Sequence, residues 1–126
     1  MHLQHRTLRR AWRVVGVGLI LFVIWASLTP HPISIPVEQG DKVGHFAAYG
    51  TLMFWFAQLD ARQRTRMAYA IAFVALGIAL EFAQRLTDYR MFEVADMVAN
   101  AIGVIIGWVA SPPRGPDILG FAERML

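Results

Sequence analysis

The chain has 126 residues, of which 56% are hydrophobic and 17% charged; its net charge is +3 and it has no cysteine. That length fits one domain, and a charged share well below the roughly 25% of soluble domains suggests that lipid replaces water over much of the surface. The lack of cysteine excludes a disulfide, a thiol nucleophile and a thiolate metal site.

Four apolar segments are predicted as helices, at 11–28, 43–59, 67–84 and 94–110, with a tail at 111–126. Spanning helices need about 20 mainly apolar residues, with about 17 at the low end, so the last three sit at the short limit. The expected fold is all-α, a single-domain bundle of four transmembrane helices. Between Val14 and Val37 there is no Asp, Glu, Lys or Arg. The preceding Arg6, Arg9, Arg10 and Arg13 resemble the charged region of a signal peptide. However, the segment is long for one, and no small-x-small cleavage site follows. The stretch "TPHPISIPVEQGD" is Pro-rich and expected to be extended. In the third segment, "MAYAIAFVALGIAL" has no charge and no polar stripe at helical spacing, which argues against a soluble four-helix bundle. After the fourth, "SPPRGPD" halts the helix, and "ILGFAERML" is expected to form at most a short interfacial helix.

Charge placement sets the expected orientation. The N-terminal arm, the loop with Arg62, Arg64 and Arg66, and the tail with Arg114 and Arg124 hold nine arginines on one side of a four-span chain. The other side has Lys42, Arg85 and Arg90. The positive-inside rule then puts both termini in the cytoplasm, with Trp12, Tyr69 and Trp108 near the inner interface and Trp25 near the outer one. Six of the nine acids (Glu38, Asp41, Glu81, Asp88, Glu93 and Asp96) fall at the outer end.

Helical spacing gathers these groups. Lys42, His45 and Tyr49 stand at i, i+3 and i+7, with Asp41 one turn before His45. Gly77, Glu81 and Gln84 step by four and three, while Asp96, Asn100, Gly103 and Gly107 step by four, three and four. Three helices can thus turn polar stripes toward one interior, where ionisable groups in lipid are least costly. Taken singly, each residue also has a plain structural reading. Asp41 and Asp96 suit helix N-termini, Lys42 can snorkel, and Tyr49 can be core or belt. Asn100 can be interhelical glue, and Gly103 with Gly107 permits close helix approach. Glu81 fits less easily, since a helix C-terminus disfavours an anion.

The stretches "DKVGHFAAYGTL", "EFAQ" and "RMFEVADMVANAIGVIIG", with "SLTPHP" after the first span, resemble the VanZ-like family of small bacterial membrane proteins. The shared pattern is Asp-Lys-x-x-His-Phe-x-x-Tyr, then Glu-x-x-Gln, then Arg-x5-Asp-x3-Asn-x2-Gly-x3-Gly, over roughly residues 27–107. Asp88-Tyr89 stands where the family often has a Pro-Gly-like turn. The resemblance implies an α-helical inner-membrane protein linked to the cell envelope, the namesake being associated with teicoplanin resistance. It implies no particular reaction.

The leading expectation is an outer-face site for an amphiphilic headgroup, such as a lipid-linked precursor or lipopeptide. His45, Glu81 and Asp96 are the candidate acid–base groups, with His45 oriented by Asp41 or Glu81. Asp41, Lys42, Tyr49, Gln84, Arg90 and Asn100 are the candidate ligand-binding residues, and Lys42, Arg85 and Arg90 suit a phosphate or carboxylate. No cofactor is identified, and no close ligand motif supports a divalent ion on Asp41, His45, Glu81 and Asp96. The alternative is a non-enzymatic scaffold or partner subunit whose stripes only fix helix placement; its lipid-facing area leaves room for a homo-oligomer. Transport is disfavoured because the inner halves of the helices are almost purely apolar. Nucleic-acid binding is disfavoured because the arginines beside the first span serve orientation and no stacking aromatic beyond interfacial Trp12 interleaves with them.

Overall fold

The computed structural model describes residues 2–29, 40–87 and 94–126, excluding the side chains of Gly40 and Asp41. Among the described residues the regular structure is all helix, without strands: α1 (His2–Leu28), α2 (Gly40–Ala57), α3 (Gln63–Arg85), α4 (Val94–Val109) and α5 (Ile118–Arg124). α1 starts at His2 rather than at Ala11 because its arginine arm is free of Gly and Pro and rich in good helix formers. Its 27 residues reach about 40 Å, more than the ~30 Å hydrocarbon layer. α1 and α3 are long and apolar enough to cross a membrane, whereas α4 is a shorter apolar helix. The tail at 111–126 is not irregular throughout, since α5 forms within it.

Burial is inverted relative to a water-soluble fold. Large apolar side chains such as Leu21, Phe22, Ile71, Phe82, Ile105 and Ile106 lie exposed. Arg66, Glu81, Gln84, Asp96 and Asn100 are buried. A helix that shows apolar side chains outward suits lipid rather than water, and its polar atoms then need partners inside.

The four long helices alternate in direction. Short connections favour consecutive antiparallel neighbours. The most extensive pair is instead α2 with α4, which are parallel and not consecutive. Glycine explains how close they come. A Cβ at Gly103 would collide with the Phe46 carbonyl oxygen, and one at Gly107 with that of Gly50. One at Gly50 would lie 3.2 Å from the Gly103 carbonyl oxygen. Tyr49, Leu52, Met53 and Val104 fill the core beside this seam.

The bundle has two chemically distinct ends. At the arginine end, the Trp12 and Trp55 rings stack with centroids 3.8 Å apart. Each indole N–H donates to the other residue's carbonyl at 2.8 Å. Arg66, only 3% exposed, donates to the carbonyls of Ala57, Asp60 and Pro112, closing the C-terminal ends of α2 and α4. Gln58 holds the tail by donating to the Pro116 carbonyl and accepting from the Leu119 N–H. The lysine end, at the opposite extreme, is where the sequence stripes meet.

Candidate functional site

Each of three helices brings polar side chains to the lysine end. α2 supplies Lys42 and His45 in its first turns, with Tyr49 about 6 Å deeper than His45 at ~1.5 Å per residue. α4 opens with Asp96 in its first turn, where the helix dipole favours an anion, and places Asn100 one turn below. α3 ends there with Glu81 and Gln84.

Asp96 is the centre of the cluster. Lys42 Nζ lies 3.6 Å from its Oδ1, and His45 Nε2 lies 3.6 Å from its Oδ2. The other ring nitrogen of His45, Nδ1, lies 3.0 Å from Asn100 Oδ1. An amide oxygen only accepts, so Nδ1 donates to it. That bond fixes the ring and turns Nε2 toward Asp96. The Nε2–Oδ2 separation is an ion-pair distance, longer than a hydrogen bond. Access falls with depth. The Lys42 side chain is 27% exposed and that of His45 16%, against 8% for Asp96.

The remaining candidates sit behind or beside this centre. Tyr49 is buried, within electrostatic reach of the equally buried Glu81. Gln84 is also buried and donates to the Ser27 carbonyl at 2.7 Å, tying the end of α3 to the end of α1. Asn100 packs on Gly77, where a Cβ would come within 2.8 Å of its amide nitrogen. Gly103 and Gly107 line the α2–α4 seam. Arg90, with Glu38, Asp88 and Glu93, lies outside the described residues, as does the Asp41 side chain. Among the described residues, no three His, Asp or Glu side chains converge as a metal-binding group.

Two structural residues carried little sequence signal. Arg66 looks like one more loop arginine, yet it is buried on three carbonyls. Gly50 lies within an apolar run, and only its position opposite Gly103 shows why it has no side chain. Sequence spacing offered Asp41 or Glu81 as the carboxylate orienting His45; the fold also sets Asp96 of α4 against it.

Comparison with known proteins agrees with the motifs. The VanZ/LLP1 family model matches residues 3–113, from α1 through α4. An uncharacterized protein of Schizosaccharomyces pombe is 33% identical over 94 residues, covering 72% of this chain. The chain spans only 57% of that relative's length. No solved structure matches. With the family match running over most of its length and all four long helices, the chain belongs to the VanZ/LLP1 family.

Proposed function

We propose that the protein is a four-span helical bundle of the bacterial cytoplasmic membrane with both termini in the cytoplasm. In this reading the lysine end is a site at the outer face for the charged headgroup of an amphiphilic envelope component. One observation carries it: titratable groups from α2 and α4 face one another around Asp96, with exposure falling from Lys42 to His45 to Asp96, while apolar side chains cover the outside. In lipid, ionisable groups are held together in this way mainly where they serve a polar ligand, a proton or an ion.

The roles follow from atoms. Lys42 Nζ is the most accessible cation of the centre and suits a headgroup phosphate or carboxylate. His45 is held at Nδ1 by Asn100, which leaves Nε2, facing Asp96 at 3.6 Å, to exchange a proton with a bound headgroup. The buried Glu81 and Tyr49, within electrostatic reach of each other, are assigned to the inner side of the site, and Gln84 ties the end of α3 to α1. Arg90 and Asp41 are assigned to the rim on their sequence position alone. A relative in a yeast favours a headgroup class wider than bacterial wall precursors, such as phosphorylated lipid headgroups.

The test substitutes His45, Glu81 and Asp96 singly by alanine and asks whether each variant complements the envelope or glycopeptide-sensitivity phenotype of a deletion strain. Loss of complementation at normal membrane levels is expected. Full complementation by all three sinks the proposal. Loss that tracks falling protein levels supports the scaffold alternative instead.

A further inference from the structure

The seven residues of α5 lie beyond the family match and have two opposed faces. One faces the protein. Leu119 is fully buried beside Gln58, and Glu123, one turn on, takes Arg9 of α1 in a two-pronged pair at 3.1 and 3.2 Å. His5 adds a bond to the Glu123 backbone carbonyl at 3.0 Å. The other face holds Ile118, Phe121 and Met125, at i, i+3 and i+7, and these are 45%, 59% and 73% exposed. Asp117 caps the helix through the Gly120 N–H, so the element is built rather than incidental.

Its level along the bundle is set by those ties. Arg9 also donates to the Leu59 carbonyl, just past the end of α2, and the stacked Trp12–Trp55 pair lies about one turn further in. Indole rings favour the headgroup level of a bilayer. The apolar face of α5 therefore lies within about one turn of the level the indoles mark. Basic side chains outnumber acidic ones there, since Glu123 is paired with Arg9 and Asp117 is taken up as the cap. Arg6, Arg10 and Arg13 step by four and three along one exposed side of α1, and Arg114 and Arg124 are exposed beside α5.

We propose that α5 lies in the plane of the bilayer interface and, with these five arginines, binds an anionic lipid surface. The geometry is that of an interfacial amphipathic helix: apolar side chains dip into the headgroup–acyl boundary while basic side chains reach the phosphates. The Glu123–Arg9 pair holds α5 at that depth by tying it to a spanning helix. The inference rests on the chain crossing the membrane, and is independent of any ligand at the lysine end.

Absence of cysteine makes the test direct. Whole chains carrying Phe121→Cys, Ile118→Cys, Gln4→Cys or Leu21→Cys are labelled with an environment-sensitive fluorophore. They are reconstituted in phosphatidylcholine vesicles with or without phosphatidylglycerol, and quenched by nitroxide lipids or aqueous iodide. Labels at 118 and 121 are expected to be quenched by headgroup-level nitroxides and shielded from iodide, unlike the label at Gln4. An anionic nitroxide lipid should quench them better than a zwitterionic one, by up to about five-fold per arginine reaching the surface. Replacing Arg6, Arg10 and Arg13 with Gln should reduce that preference and leave the depth unchanged. Iodide access at 118 and 121 equal to that at Gln4 overturns the proposal, as does equal quenching by the two lipids. Self-quenching between labelled chains would mark a second copy as the occupant and overturn it too. A Leu21 label untouched by mid-chain nitroxides would overturn the spanning reading itself, whereas quenching there with free iodide access at 121 defeats this inference alone.

Discussion

The two ends of the bundle bury charge at similar depth and to opposite purpose. At the arginine end, Arg66 spends its donors on backbone carbonyls that would otherwise be orphaned where α2 and α4 stop. At the lysine end, Asp96 is met by Lys42 and His45, side chains that can exchange partners or protons. Because α2 and α4 are parallel, their dipoles add, favouring an anion where both begin and a cation where both end. Arg66 and Asp96 are those two charges. A charge bonded to immovable carbonyls closes a structure, whereas one facing titratable side chains leaves chemistry open.

Substitution can break this contrast. The largest effect is expected for Arg66→Met, which strands three carbonyls and should lower stability by about 3 kcal/mol, read as a melting shift in detergent. Melting unchanged by that substitution would remove the closing role. Next comes the seam. Gly103→Ala meets backbone atoms of Phe46 and Gly50 that cannot move cheaply, and should cost about 2 kcal/mol. Gly18→Ala, with open space around it, is the control and should be stabilising by up to about 1 kcal/mol through helix propensity alone. Equal behaviour of the two would mean that α2 and α4 are not in close contact.

Asp96→Asn should change stability by under about 1 kcal/mol, because Lys42 is 27% exposed and can turn to water. The same variant should lose complementation. A large melting shift there would make the lysine end as structural as the arginine end. The smallest effect concerns the turn between α2 and α3. Hydrogen bonds from the Arg62 side chain and backbone N–H hold the Asp60 carboxyl well below the usual carboxylate range. A lowered folded-state value means stability fully present above the unfolded value of about 4 and lost as pH falls through the folded one. Asp60→Asn should flatten that acid limb slightly, since the pair is exposed; an unchanged limb would show that it contributes nothing.

The family motifs and the stripe of α4 were legible in order. Asp96, Asn100, Gly103 and Gly107 were read on one face from steps of four, three and four, and all four are buried. Lys42 and His45 were read together on α2, and both face Asp96. What stayed hidden was partnership. The pairing of parallel α2 with α4, the inward turn of Arg66 and the tie of Arg9 to Glu123 join residues far apart in sequence. Local spacing carries no information about them.

By itself, then, the sequence determined the helices and their lipid-suited exteriors, because hydropathy and 3.6-residue periodicity act within a single segment. It also determined that the polar stripes of α2, α3 and α4 turn inward, since an ionisable group has few tolerable places in hydrocarbon, but not that Arg66 does. Only the tertiary structure decided which inward group meets which. That choice depends on how closely two backbones approach, and here the approach is set by Gly50, Gly103 and Gly107 acting across two helices.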